Sequence, residues 1–196
     1  MKTCTSTSCS NSHNYCQLIN IQGLCNPEDV NDVINRYPYW KQIYLTETLT
    51  LPDQKPDIEV LNSLDISVEI MKSYVIRTPR SFDDTGLTPI PVPNLEGNLL
   101  TGRKLIVEGA LTQQVDYTAN YPSQPVHSAH FYVPFSSYIV VPEEITFAQN
   151  NGNTIDSLQV TYEVNACIED VAIKALDERT ILKQVTLLLY AVPTQV

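Results

Sequence analysis

Apolar residues recur at every second position over most of the chain, and the places where that alternation fails mark its other elements. Ile43, Leu45, Leu49 and Leu51 share one face of an extended segment, with Thr46, Thr48 and Thr50 on the other. Leu64, Ile66, Val68, Ile70, Tyr74 and Ile76 alternate with Asp65, Ser67, Glu69 and Ser73, which predicts a half-buried strand. Leu105, Val107, Leu111, Val115 and Tyr117 form a third inward face, and Gly109 within it marks a bulge or a close approach. Ala129, Phe131, Val133 and Phe135 form a fourth, opposite His130, Tyr132 and Ser136; Pro134 in mid-run places that strand at an edge or a bulge. Leu158, Val160, Tyr162, Val164 and Ile168 hold even parity, whereas Val171, Ile173 and Ala175 hold odd parity. Parity cannot change inside a regular strand, so a bulge is predicted near Glu169 and Asp170. The last strand covers residues 181–192, including Val185, Leu187 and Leu189.

Helical spacing governs two short stretches. Asn26 can cap a helix that has Pro27 at its first position and Glu28 and Asp29 in its first turn. Val30, Val33, Ile34 and Tyr37 then give it one apolar face, and Pro38 ends it. Pro56, Asp57 and Glu59 suit a short helical turn over residues 56–61. Tyr37, Tyr39 and Trp40 cluster after the first helix and are expected to pack on the core. Residues 79–102, with prolines at 89, 91 and 93, read as an extended surface loop that could cover a sheet edge. The pattern gives seven to nine strands, several of them long, each with one polar face. It predicts an all-β fold: an antiparallel β-sandwich, jelly-roll-like, with one or two short helices and an extended N-terminal arm. The division is an arm at residues 1–25 and a β-domain at residues 26–196.

The arm differs in kind from the rest. It holds Cys4, Cys9, Cys16 and Cys25, four of the five cysteines, among Ser, Thr, Asn and Gln, with Lys2 its single formal charge. Such a segment cannot bury enough apolar surface to fold alone, so disulfides, a metal or a neighbouring subunit must hold it. Tyr15, Leu18, Ile19 and Ile21 could form a short strand if a sheet edge were offered. Five cysteines are an odd number, so at least one thiol is free or bonds to another chain. Cys167 lies inside a body strand, as a small buried residue or, if it faces out, as a docking point for an arm.

Charge and motif content then narrow the function. Net charge is −10, and assigning Lys2 to the arm leaves 11 bases against 22 acids in the body. That balance repels nucleic acid and anionic lipid. No apolar run is long enough to span a membrane. No apolar leader opens the chain, so synthesis without a signal peptide is expected. That expectation conflicts with the cysteine content, which suits an oxidising destination; release by lysis of a mother cell resolves it. His127 and His130 are three apart on a strand and point to opposite faces, so they cannot share a metal. The acid pairs at 83–84, 143–144, 169–170 and 177–178 diverge or sit in turns, and no nucleophile elbow or phosphate loop is present. The arm cysteines, with His13 among them, lack the two-to-four-residue spacing of a zinc knuckle. The expectation is a non-enzyme with no cofactor and no metal.

Several stretches carry a family resemblance. They are residues 47–58 (Glu47-Thr48-Leu49 through Gln54-Lys55-Pro56-Asp57), Val107-Glu108-Gly109, Val126-His127-Ser128-Ala129-His130-Phe131 with Val133-Pro134-Phe135, and Ile168-Glu169-Asp170 with Leu176-Asp177-Glu178-Arg179. Together, over about residues 44–192, they resemble the SPOCS domain of spore-coat morphogenetic and exosporium-associated proteins. The resemblance implies a role in building the spore surface, without catalytic residues. Coat morphogenetic members are longer, whereas this chain has one such domain and an added Cys-rich arm, as a repeating building block would. By analogy with spore appendage fibres, the expectation is a structural subunit that polymerises with copies of itself. The arm strand docks on a neighbour's sheet edge, and disulfides among Cys4, Cys9, Cys16, Cys25 and Cys167 lock the joint between chains. Other coat or exosporium proteins are possible partners. A lateral exosporium array and a surface adhesin are the alternatives.

Overall fold

The computed structural model describes residues 18–90, 93–94, 97–98, 101–147 and 154–194. Within them the chain runs β1 (Leu18–Gln22), α1 (Pro27–Arg36), β2 (Trp40–Thr50), β3 (Ile58–Phe82), β4 (Pro89–Ile90), β5 (Pro93–Asn94), β6 (Gly97–Asn98), β7 (Thr101–Ala119), β8 (Val126–Val140), β9 (Glu144–Thr146), β10 (Thr154–Asp156), a 3-10 turn at Ser157–Gln159, β11 (Thr161–Ala175) and β12 (Thr180–Thr194). One sheet has the order β1-β3-β7-β8, with β4 on the far end of β3; the other has the order β11-β12-β2. The fold is an all-β sandwich of these two sheets. Among the described residues every pairing in it is antiparallel except β1 with β3 and the single bridge of Leu24 to Ile168.

The core is built from the inward residues that alternation predicts. Leu105, Val107, Leu111, Val115 and Tyr117 of β7 are buried against Ile181, Val185, Leu187 and Leu189 of β12. Glu169 is the extra residue of β11, since the register with β12 shifts between Ile168 and Asp170, and both Ile168 and Val171 thereby face the core. Pro134 lies on β8, the edge strand of its sheet, opposite Ala110. At the side of the sandwich where β2 nears β8, Tyr138 lies beneath Lys41 and Lys104, whose Nζ atoms are 3.7 and 4.0 Å from the ring centre.

Four expectations need correction. Residues 79–102 are not one loop: β3 runs on to Phe82, Pro89–Ile90 pairs back onto it, and β7 begins at Thr101. Residues 56–61 form no helical turn: β3 starts at Ile58, because Arg179 draws the preceding backbone onto the opposite sheet. Tyr74 and Ile76 do not continue the inward face of β3. The register with β7 shifts between Ile70 and Lys72, leaving Tyr74 exposed while Val75 packs on the core. Tyr39 packs on the core and meets Tyr162 edge-to-face, but Trp40, one residue on, points outward and is 45% exposed.

Gly109 sits opposite that register shift. A Cβ there would lie 2.6 Å from the Glu69 carbonyl oxygen and 2.6 Å from Cζ of Phe135, whose ring fills the space. The glycine therefore permits a close approach across three strands. Gly109→Ala is expected to cost about 1–3 kcal/mol of stability through overpacking, read as a lower urea midpoint at unchanged slope. An unchanged midpoint would mean that Phe135 does not occupy that space.

Each pole of the sandwich carries a polar lock built on an arginine and a carboxylate. At one pole Arg179 donates to Asp57 Oδ1 (2.6 Å) and to the carbonyls of Leu51, Lys55 and Pro52 (3.3, 3.2 and 2.9 Å). Leu51 and Ile58 return backbone bonds to the carbonyls of Arg179 and Glu178, and the Tyr117 hydroxyl donates to Pro56 O. The Gln-Lys-Pro-Asp stretch and the Asp-Glu-Arg turn are thus two halves of one lock tying the β2–β3 loop to the β11–β12 turn. At the other pole the buried Arg103 bonds Asp156 (3.0 Å) and faces Glu143, which also pairs with Arg80.

Candidate functional site: the joint between arm and body

β1 adds to the edge of β3 in parallel, with Leu18 opposite Ser63 and Gln22 opposite Ser67. Alternation turns Ile19 and Ile21 inward, where they pack on the core, while Asn20 donates to Asp65 across the strands (2.6 Å). The chain then leaves the sheet at Gly23, whose φ of +83° favours a residue without a side chain. Ile168 N donates to Gly23 O and Cys25 N donates to Ile168 O, both at 2.9 Å, so the segment crosses from the edge of one sheet to the edge of the other. Five residues on an edge are a weak attachment by themselves; a disulfide just beyond the strand makes it covalent.

That bond joins Cys25 to Cys167, with Cα atoms 4.9 Å apart, and links positions 142 residues apart in sequence. Cys167 points to the outer face of its sheet, not into the sandwich. It is buried there by α1, in a cluster with Val30 and Leu188 bordered by Cys25, Ile34 and Tyr190. The helix forms where capping predicts: the Asn26 side chain accepts from Glu28 N, Pro27 opens the first turn, and its apolar stripe seats on this cluster. The joint is therefore a strand, a clasp and a lid in sequence.

The predicted site residues separate into two groups. Leu18, Ile19 and Ile21 form a strand on their own chain. Cys25 and Cys167, expected among candidates for bonds between chains, bond to each other within the chain. Cys4, Cys9, Cys16 and Tyr15 lie outside the described residues.

Several polar groups elsewhere are bonded within the fold. The Asp116 carboxylate accepts from Ser128 (2.6 Å), Gln114 (3.0 Å) and Ser63 (3.0 Å), and these bonds, Ser128 foremost, hold its pKa below the usual carboxylate value. Asp156 is lowered too, first by the Leu158 backbone N–H and then by Arg103. His127 stacks on Tyr117 and His130 is exposed on the other face of β8. Among the described residues no group of three or more His, Cys, Asp or Glu side chains is placed to hold a metal ion. No helix there is long and apolar enough to cross a membrane.

One buried pair escaped the sequence reading. Lys183 lies on the inward face of β12, with no side-chain exposure, directly opposite Glu47 of β2; Nζ and Oε2 are 2.5 Å apart. The contact is a close ion pair that offsets the charge of an ammonium withdrawn from water. Desolvation pushes the Lys183 pKa below the ordinary lysine value, and Glu47 offsets part of that. The signal was present: Lys183 continues the parity of Ile181 and Val185, and Glu47 that of Leu45 and Leu49.

These features define a class first: a two-sheet β-sandwich whose N-terminal segment is clasped to the body by a disulfide. Comparison with protein families then identifies the domain. The model described as SipL, SPOCS domain matches residues 57–176, and the chain belongs to that family, which places it among spore-related proteins. Neither a curated protein nor a solved structure matches the chain.

Proposed function

We propose that the chain is a structural subunit of the bacterial spore surface that assembles with copies of itself into a disulfide-crosslinked fibre through its N-terminal arm. One observation carries the reading. The arm's final segment attaches as an added strand on a sheet edge, by backbone pairing that any β-compatible segment can make. Residues 1–17 hold three more cysteines in a stretch without acidic groups. Such a stretch can approach an acidic body without repulsion and lock where it docks. A contact from the arm of one copy to the body of the next is head-to-tail and need not close, so it propagates.

The test removes residues 1–17 and leaves β1 and the Cys25–Cys167 clasp in place. The full chain is expected to form heat-resistant polymers that collapse only with reductant, and the truncated chain to stay monomeric. If the truncated, reduced protein builds the same polymers, the reading is wrong. A surface-binding module is the second reading, favoured by Trp40 and Tyr44, which are exposed on one face of β2. On that reading the truncation leaves ligand binding intact.

A further inference from the structure

We propose that the open edge of β2 is a docking surface for a second copy of the chain, which pairs its own β2 there antiparallel, about a two-fold axis through Tyr44. The contact does not use the arm, so it stands apart from the fibre reading above. Among the described residues no strand pairs with the outer side of β2, the end strand of the β11-β12-β2 sheet. The other sheet ends are shorter or blunted. β1 is five residues long, β8 carries Pro134 in mid-strand, and Leu24 bridges to Ile168 on the free side of β11. β2 runs eleven residues with neither a proline nor a register shift.

Pairing with β12 fixes which backbone groups of β2 are free. Leu51 N donates to Arg179 O and Ala191 N donates to Tyr39 O. In the register that sets Trp40 opposite Tyr190, the odd residues therefore bond β12. The even residues from 40 to 50 turn their N–H and C=O groups to the open side. Their side chains (Trp40, Gln42, Tyr44, Thr46, Thr48 and Thr50) lie exposed on the outer face, and none is charged. Pairing even residues with even residues keeps inner face beside inner face, so the two sheets join edge to edge.

Charge selects the register. Lys41 and Glu47 are the charged residues of β2. Both lie on its inner face, and Glu47 keeps 19% of its side chain exposed beside the enclosed Lys183. With Tyr44 opposite Tyr44, Lys41 of each copy faces Glu47 of the other, Ile43 faces Leu45, Gln42 faces Thr46 and Trp40 faces Thr48. Moving the centre to Leu45 sets Glu47 against Ile43 and Lys41 against Leu49. No other antiparallel register of this edge pairs the two charges. The net charge of −10 opposes association, and these cross-strand ion pairs offset it where the copies meet.

The experiment places one new cysteine at a time on the edge of the full chain, as Tyr44→Cys, Gln42→Cys or Thr46→Cys. Each variant is treated with a short bifunctional thiol reagent, digested and peptide-mapped. The Cα atoms of position 44 meet at about 5.5 Å, whereas position 42 lies about 13 Å along the strand from its own copy. Tyr44→Cys is expected to give a peptide joining residue 44 to residue 44. Gln42→Cys and Thr46→Cys give no such self-link, but their mixture joins 42 to 46. Lys41→Glu turns both ion pairs into repulsions and is expected to raise the dimer dissociation constant about tenfold in sedimentation equilibrium. Should that variant lose its fold, the three cysteine maps decide. Self-links at 42 or 46 as abundant as at 44, a folded Lys41→Glu with an unchanged dissociation constant, or a chain that stays monomeric at every concentration overturns the inference. Peptides joining residue 44 to Cys4, Cys9 or Cys16 instead of to itself make the arm the occupant and overturn it too. The pair is not covalent and separates in a denaturing gel, so the arm test and this one fail independently.

Discussion

Replacing Cys25 and Cys167 by alanine is expected to lower the stability of the chain by about 4–5 kcal/mol, read as a lower denaturant midpoint under non-reducing conditions. The bond closes a loop between positions 142 apart, and chain entropy alone gives ~5 kcal/mol for a loop of that size. The cost is not spread evenly. Val30 and Leu188 lose the sulfur atoms that complete their cluster, and β1 keeps only five paired residues on its edge. Amide exchange should therefore quicken first in β1 and α1, while β7 and β12 stay protected until the whole sandwich opens. A variant as stable as the parent, with β1 equally protected, would show that the bond contributes nothing to the native fold.

Glu47→Ala is the second large effect, about 3–5 kcal/mol destabilising. It strands Lys183 with no side-chain exposure and no carboxylate beside it. The asymmetry is the stronger test. Lys183→Met is expected near neutral or stabilising, because an unbranched apolar chain replaces a buried cation among Ile181, Val185 and Leu49. Lys183→Met in the Glu47→Ala background should recover most of the loss. The pH dependence has a definite sign. Burial already holds the native Lys183 pKa below that of the unfolded chain. Between those two values the unfolded chain binds more protons than the native one, so raising the pH through that window favours the native state. The deficit of Glu47→Ala should shrink as the pH rises toward the lysine range. A deficit constant with pH, or a Lys183→Met variant as weak as Glu47→Ala, would mean that the pair does not share a buried site.

Much of the sandwich is legible in the chain because burial on one face imposes period two. The parity change between Ile168 and Val171 locates a bulge without any structure, and Gly109 is conspicuous as a gap in an inward row. The failures have physical causes. Alternation alone carries the inward row of β3 past Met71, because nothing local in that strand announces the shift; its cause lies on β7 and β8, in Gly109 and Phe135. Residues 56–61 satisfy the local rules of a helix start, yet Arg179, more than a hundred residues away, fixes their backbone. The joint is half visible. Leu18, Ile19 and Ile21 stand out as a strand waiting for an edge, but the sequence does not say whose edge. Five cysteines do not reveal their pairing. Cys167 looks like an ordinary strand residue until α1 is seen to cover it. The family motifs include Asp57 and Arg179, and those residues prove to close one pole of the domain, away from the arm's clasp.

The clasp also decides how the molecule bears a pull. β12 ends at Thr194, at the pole opposite the Arg179 lock, while β1 begins at Leu18, at its end nearer that lock. Tension applied through the two ends therefore acts along the strand axes, loading the backbone bonds in shear instead of peeling them apart one at a time. It passes from Cys25 across the sulfur bridge directly into Cys167. Residues 26–166 lie outside that path. Their contour, roughly 470 Å at ~3.3 Å per residue, cannot be released while the bridge is closed. Reduction would free that length, so the same pull would meet a long, soft tether.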